Sequence, residues 1–213
     1  MSCKIFTLNI NNYCPELMSI TTPLMKAYAD RIGAEFIEIK ERKFPDYHIH
    51  FEKVQIWELG KDTDWNAFFD ADVLIHPTMF YDITKLNPNL VYVKDGYRAN
   101  IKFHPNEYFK NDKRNQGISS CAIVSSKENH ILWQPLDMTA KEIDDEIITM
   151  EENKLKGITS SFYQEEYLLS YNIAKYKINY SGMQQGYIFH SYSSNDIQTK
   201  IKELEDILKK WNI

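Results

Sequence analysis

Short apolar segments alternate with helical patterns over the first third of the chain. Residues 4–8, 35–39 and 65–69 each have the length and the apolar character of a buried strand. Two stretches with helical spacing lie between them, one over residues 17–32 and one over residues 51–59. Strands that alternate with helices in this way are typical of an α/β protein with a mostly parallel central sheet.

The start of the first helix has two interpretations, and a later helix carries a capping pattern. Pro23 lies inside the first helical stretch, so the helix begins either well before it or at Pro23 with Thr22 as N-cap. Ser161 and Gln164 have the spacing of a capping box at the start of another helix. Further strands are predicted over residues 73–75, 90–93, 118–124, 177–180 and 187–189, and further helices over residues 141–156 and 197–211.

The composition limits the classes of protein to which the chain can belong. Its 213 residues are 43% hydrophobic and 26% charged, which indicates one globular domain and excludes a disordered, collagen-like or coiled-coil chain. A net charge of -5 with no basic run argues against a nucleic-acid partner. No apolar run approaches the roughly 18 residues that span a bilayer, so we expect no transmembrane segment. The first residues lack the pattern of a signal peptide, and the 3 cysteines form no CxxC pair, so we expect reduced thiols and a cytoplasmic location.

Two carboxylates separated by one small residue follow the most apolar predicted strand. Asp70 and Asp72 come directly after residues 65–69, and Ala71 lies between them. Ligand sites in open α/β sheets lie at the carboxyl ends of strands, and paired carboxylates suit a hard divalent ion such as Mg²⁺ or Mn²⁺. Such an ion assists the departure of a phosphate or diphosphate group. Acidic pairs after strands also serve as ordinary turn caps, and the tripeptide alone leaves both interpretations open.

The stretch FFDADVLI at residues 68–75 resembles the DxD strand of glycosyltransferases with the GT-A fold. Four further stretches occur in the order found in glycosyltransferase family 8, the glycogenin-like group: KVQIWEL at residues 53–59, ISSCAIV at 118–124, YQEEYLL at 163–169 and GYIFHSY at 186–192. The chain also resembles the N-terminal domain of a large-virus glycosyltransferase that acts on capsid protein, which would place it in the host cytoplasm.

The resemblance implies a fold and an activity for the whole chain. It implies a single GT-A domain over residues 1–213, with a mixed, mostly parallel central sheet flanked by helices. The N-terminal half would bind the nucleotide and the C-terminal half the acceptor. The implied reaction is metal-dependent transfer of a sugar from a UDP-sugar, UDP-glucose or a related hexose, to a hydroxyl of a glycan or glycoprotein, with retention of configuration. The family's Asn-Ala-Gly, Asp-Gln-Asp and Lys-Pro-Trp motifs are altered or absent, so the sugar and the stereochemistry are not assigned from sequence.

Residue roles follow from the resemblance and from position. Asp70, Asp72 and His190 would bind Mn²⁺ or Mg²⁺, and Gln164, Glu165 and Glu166 would hold sugar hydroxyls at the catalytic centre. The predicted donor-binding residues are Thr7, Asn9, Asn11, Lys53, Asp70, Ala71, Asp72, Arg98 and Ser120.

Most of these residues also have an ordinary structural interpretation. His190 can be a hydrogen-bonded core histidine, and Gln164 can simply cap its helix. The two following glutamates can form a solvated first turn, where acidic residues suit the helix dipole. Lys53 and Arg98 can be surface charges. His48 and His50 are predicted to lie in a loop, with no acidic partner nearby in sequence.

Two other functions compete with sugar transfer. A phosphatase of the haloacid dehalogenase type also places DxD after a strand, with Asp70 as nucleophile and Asp144-Asp145 as a later acidic motif. Its DxD usually ends the first strand, whereas two strand–helix units come first here. The other alternative is a non-catalytic module that binds a nucleotide sugar, for which clustered carboxylates have no evident purpose.

Overall fold

The computed structural model describes residues 1–12, 14–94, 118–148, 160–184, 186–191 and 196–213. Within these residues the strands are β1 (Cys3–Leu8), β2 (Glu35–Ile39), β3 (Trp65–Phe69), β4 (Val73–Ile75), β5 (Val91–Val93), β6 (Ala122–Ser126), β7 (Tyr180–Gly182) and β8 (Ile188–His190). The helices are α1 (Pro15–Ile32), α2 (Ile56–Leu59), α3 (Ala140–Ile148), α4 (Gln164–Lys175) and α5 (Ile197–Trp211), and a 3-10 helix (Ile49–Gln55) leads into α2.

The central sheet is mixed and mostly parallel. In the described part of the chain its six strands have the order β2-β1-β3-β6-β5-β7, and β6 alone runs against its neighbours. Phe69, the last residue of β3, lies opposite Ala122, the first residue of β6. The residues that follow β3 and those that precede β6 therefore meet at one edge of the sheet. The predicted fold class is confirmed.

A second, two-stranded sheet extends this edge. Three residues separate the end of β3 from the start of β4, which pairs antiparallel with β8. In this pairing Val73 lies opposite His190. The pairing brings a histidine from the last part of the chain beside the Asp70–Asp72 turn.

Helices cover both faces of the central sheet. Successive side chains of a strand point to opposite faces, so the apolar strands place apolar side chains on both. Phe6 and Phe68 point into one apolar cluster, which also contains Tyr167 and Leu168 of α4. Their neighbours Ile5 and Phe69 point into the opposite cluster, which contains Met25, Tyr28 and Ala29 of α1. Leu204 of α5 packs with Leu17 of α1 and Leu74 of β4 in a third cluster. None of the helices in the described ranges has the length and apolar character needed to cross a membrane.

Several element boundaries differ from the sequence predictions. The first helix begins at Pro15 and continues past Pro23 to Ile32, because residues on both sides of Pro23 are buried against the core. The predicted start at Pro23, with Thr22 as N-cap, is therefore wrong. Residues 49–55 form a 3-10 helix rather than the start of an α-helix. β6 starts at Ala122, where its pairing with β3 begins, which leaves residues 118–121 as a loop. Helix α3 is described as Ala140–Ile148, and residues 149–156 of the predicted helix lie outside the described part.

The predicted capping box is wrong. The N-cap of α4 is Tyr163, which makes no side-chain capping bond. The Gln164 side chain instead bonds to groups that are distant in sequence, the backbone N–H of His48 and the Asp144 carboxylate. A capping pattern four residues long carries no information about such partners.

Gly60 provides a test of how β3 is held. A Cβ at this position would lie 2.4 Å from Oδ1 of Asn66, which is fully buried on β3 and donates a 3.0 Å hydrogen bond to the Gly60 carbonyl. We predict that Gly60→Ala lowers the free energy of unfolding by about 1–3 kcal/mol, because the buried Asn66 cannot move aside without losing its bond. Urea denaturation measures the change. The matched control is Gly182→Ala, where the added methyl group meets open space and should leave stability unchanged; equal effects of the two substitutions would contradict the prediction.

Candidate functional site

A tight turn after β3 presents the two aspartates. The backbone N–H of Asp70 donates to the Cys121 carbonyl at 2.8 Å, and the N–H of Val73 donates to the Asp70 carbonyl at 3.0 Å. The Thr21 hydroxyl on α1 donates to the Ala71 carbonyl at 2.7 Å, which fixes the middle of the turn. Hydrogen bonds hold the backbone of this turn at both ends and in its middle. The two aspartate side chains therefore project from a fixed backbone.

Asp70, Asp72 and His190 converge on one point. Each offers one ligand atom, and these three atoms lie within 4.8 Å of one another. Nε2 of His190 lies 3.1 Å from Oδ1 of Asp72. Carboxylate oxygens and an imidazole nitrogen form a donor set that Mn²⁺ accepts, and Mg²⁺ favours the oxygens. The residues present therefore fit a divalent ion.

Asp72 is surrounded by positive groups. Its Oδ1 faces His190, and its Oδ2 contacts the ammonium of Lys200 on α5. Burial by itself raises the pKa of Asp72, yet His190 and Lys200 hold this pKa well below its usual range. Burial by itself lowers the pKa of His190, but Asp72 and the neighbouring Cys121 thiol raise it to about 9. The Asp72 carboxylate and the His190 imidazole thus each favour the charged form of the other.

Lys53 is a buried cation beside Asp70. Its side chain is 2% exposed, and its Nζ lies 3.0 Å from Oδ1 of Asp70, 2.9 Å from the Ser120 hydroxyl and 3.4 Å from Oε1 of Glu165. The ammonium also lies 4.9 Å from the centre of the Phe68 ring. Burial opposes the charged form, but Asp70 and Glu165 raise the pKa of Lys53 above its ordinary value. The interpretation of Lys53 as a surface charge is wrong.

Glu165 and Glu166 both reach the loop before β6. The Ser120 hydroxyl donates to Oε1 of Glu165 at 2.8 Å, and the Ser120 backbone N–H donates to Oε1 of Glu166 at 3.2 Å. Burial tends to raise the pKa of Glu165, but the Lys53 charge lowers it overall. Within the described residues, the second oxygen of Glu165, Oε2, is buried and has no hydrogen-bond partner. Both glutamates are buried, so they do not form a solvated first turn.

Gln164 begins the same helix but faces different partners. Its Oε1 accepts from the His48 backbone N–H at 2.7 Å, and its Nε2 donates to Oδ1 of Asp144 at 2.9 Å. The His48 ring packs against His50 and against the exposed Phe162. Gln164 therefore joins α4 to α3 and to the loop before the 3-10 helix.

The remaining predicted donor residues that the structure describes lie at or near the carboxyl end of β1. Thr7 is fully buried, Asn9 donates to Oε2 of Glu38 at 2.8 Å, and Asn11 is exposed in a left-handed backbone conformation with φ of 56°. Arg98 lies outside the described residues.

Lys200 belongs to the site and is missed by sequence reasoning. It lies in the polar part of an amphipathic helix, where lysines are common, so no sequence pattern marks it. Cys121 is likewise an unmarked neighbour of His190.

Comparison with known proteins identifies the fold through a solved structure. No protein-family model and no curated protein matches the sequence. Among solved structures, the chain is similar to one titled "Crystal structure of a glycosyltransferase involved in the glycosylation of the major capsid of PBCV-1". The superposition covers 97% of this chain and 100% of that chain, with a TM-score of 0.58 and 11% sequence identity. At this identity the likeness shows the fold alone, which this chain shares with that glycosyltransferase.

The buried position of Lys53 leads to a stability prediction. Lys53→Met should lower the free energy of unfolding by about 3 kcal/mol, because it leaves the Asp70 and Glu165 carboxylates close together without their cation. Chemical denaturation monitored by circular dichroism measures the change. The control is Lys85→Met, since the Lys85 side chain is 81% exposed and should contribute little. Adding Glu165→Gln to Lys53→Met should restore part of the loss; a double variant no more stable than the single one would contradict the assigned pairing.

Proposed function

We propose that this chain is a metal-dependent glycosyltransferase of the GT-A type, similar to family 8, that transfers a sugar from a UDP-sugar to an acceptor hydroxyl. The observation that carries the proposal is the convergence of Asp70, Asp72 and His190 at the edge of a glycosyltransferase-like sheet. The buried cluster of Lys53, Ser120 and Glu165 lies directly beside that edge.

The protein side chains have separate tasks in this proposal. Asp70, Asp72 and His190 hold Mn²⁺ or Mg²⁺, which when bound supplies positive charge for the departing diphosphate. Lys53 keeps Asp70 oriented by contacts to both carboxylate oxygens, at 3.0 Å and 3.3 Å. Positioning and electrostatic stabilisation of this kind are the main contributions of a protein to such a transfer.

The acidic residues of α4 are proposed to bind the donor sugar. Oε2 of Glu165 is a buried acceptor to which a sugar hydroxyl can donate. The adjacent Glu166 accepts a hydrogen bond from the Ser120 backbone N–H. Gln164 acts as a positioning residue, because its amide is engaged by His48 and Asp144. A sugar held by carboxylates on one side and a diphosphate on the other suits attack from the face of the leaving group, with retention of configuration.

The remaining details are proposals of the same kind. Thr7, Asn9 and Asn11 at the end of β1 bind the uracil, and Arg98 and Ser120 bind the phosphates or the sugar. UDP-glucose or a related hexose is the donor, and a glycan or glycoprotein is the acceptor. Residues 1–213 act as one domain, with the nucleotide on the N-terminal half and the acceptor on the C-terminal half. The donor and the three buried cysteines, which form no disulfide within the described residues, fit a cytoplasmic location.

The phosphatase alternative has no supporting observation in the described part of the chain. Asp70, its nucleophile, has both oxygens in contact with Lys53. Asp145 pairs with Lys141 on an exposed part of α3, and Asp144 accepts from Gln164. The non-catalytic alternative is decided by assay of UDP release from a UDP-sugar.

Metal removal and charge neutralisation test the proposed function. We expect UDP to bind only with Mn²⁺ or Mg²⁺, because without the ion the diphosphate meets the Asp70 and Asp72 carboxylates unscreened. Asp70→Asn and Asp72→Asn should each weaken metal-dependent UDP binding by at least about tenfold and abolish transfer while the circular dichroism spectrum is retained. Isothermal titration with and without EDTA measures the binding.

The matched control is Asp62→Asn, which removes the same charge from an exposed position outside the site. It should bind UDP like the unaltered protein. Equal UDP affinity in excess EDTA would contradict the role assigned to the two aspartates.

A further inference from the structure

Lys200 connects the last helix to the candidate metal site. Its side chain is 20% exposed, and its ammonium contacts Oδ2 of Asp72, while Oδ1 of the same carboxylate faces Nε2 of His190 at 3.1 Å. Both oxygens of a proposed metal ligand are therefore already occupied by positively charged or proton-donating groups of the protein. We propose that Lys200 is a built-in cation that competes with the divalent ion for Asp72 and thereby sets the metal affinity of the nucleotide-free protein. This inference rests on the proposed function, since it concerns the same metal site.

Asp70 and Asp72 each form an ion pair with a different lysine. Lys53 contacts Asp70, and Lys200 contacts Asp72. A divalent ion that takes an oxygen of Asp72 must approach the ammonium of Lys200, and two cations at that distance repel each other. Binding of the ion consequently requires the ammonium of Lys200 to move away.

The two lysines differ in their freedom to move. Lys53 is 2% exposed and is held by Asp70, Ser120 and Glu165 together. The ammonium of Lys200 is partly exposed, and within the described residues its contact is to Asp72. A long, partly exposed side chain with one ionic contact can turn into solvent, whereas a buried one with three cannot. Lys200 is therefore the cation that yields to the metal.

The helix that carries Lys200 does not need to leave its place for this exchange. Leu204 of α5 is fully buried against Leu17 and Leu74, and Asp196 caps the helix by accepting from the Thr199 backbone N–H at 2.8 Å. These contacts are independent of the lysine side chain. A substitution of Lys200 should thus change the site without unfolding α5.

The test measures Mn²⁺ binding directly, with the full chain freed of metal by a chelator and without nucleotide. Free Mn²⁺ is quantified by its electron paramagnetic resonance signal. Lys200→Met keeps the length of the side chain and removes its charge, and it should tighten Mn²⁺ binding by roughly three- to tenfold, the range expected for removal of a partly exposed ion pair. Lys200→Arg, which keeps the charge, should bind Mn²⁺ like the unaltered protein.

The matched control is Lys202→Met, because Lys202 is exposed on the same helix and its substitution changes the net charge equally. It should leave Mn²⁺ affinity unchanged. The melting temperature of the metal-free protein provides a second measurement, and it should fall for Lys200→Met, since Asp72 loses a partner, but not for Lys202→Met.

The outcomes separate this inference from the proposed function. If Lys200→Met binds Mn²⁺ as the unaltered protein does, or more weakly, the competition is overturned while the metal site stands. A lower melting temperature with unchanged Mn²⁺ affinity means a purely structural ion pair and also overturns it. If neither the unaltered protein nor Lys200→Met binds Mn²⁺, both the competition and the metal site of the proposed function fail.

Discussion

The rest of the site depends on the ion pairs that the buried ammonium of Lys53 makes with Asp70 and Glu165. Asp70 and Glu165 approach the same ammonium, and Ser120 links that pair to Glu166. Carboxylates so close together in a buried setting repel one another and lose hydration, so they remain charged only with a cation among them. Lys53 supplies that cation from the 3-10 helix before α2. It thereby joins three parts of the chain, the turn after β3, the loop before β6 and the start of α4, into one polar cluster.

Strand direction explains why these parts meet. Because β6 runs against β3, Phe69 pairs with Ala122, and the loop before β6 lies beside the turn after β3. A parallel β6 would place its preceding loop at the opposite edge of the sheet. The pairing of β4 with β8 has a similar effect, since it sets His190 opposite Val73 and next to Asp72. The site is thus assembled by one reversed strand and one small additional sheet.

The features that the sequence predicts correctly are those encoded within a few neighbouring residues, such as strands and turns. The ranges of β2 and β3 and the acidic turn at Asp70 and Asp72 agree with prediction, because apolar runs and turn residues are visible in a short window. The direction of β6 and the burial of Lys53 were not predictable, since both depend on pairing between distant segments. The capping-box prediction for Gln164 is wrong for the same reason: its partner His48 lies more than a hundred residues earlier. The position of His190 beside the two aspartates is predicted only through resemblance, because a histidine after an apolar strand has no local feature that distinguishes a ligand from a core residue.

The difference between the two lysines gives the site a fixed part and an exchangeable part. Lys53 is enclosed and contacts both oxygens of Asp70, so it compensates that carboxylate from within the protein. Lys200 reaches Asp72 from a helix on the surface, and its ammonium is the one that we propose an ion would displace. In the proposed function, an ion at Asp72 would therefore displace the ammonium of Lys200 into solvent, whereas the ammonium of Lys53 would stay beside Asp70. The two aspartates would then hold the ion on different terms, because Asp72 would exchange its cation for the ion and Asp70 would keep its own.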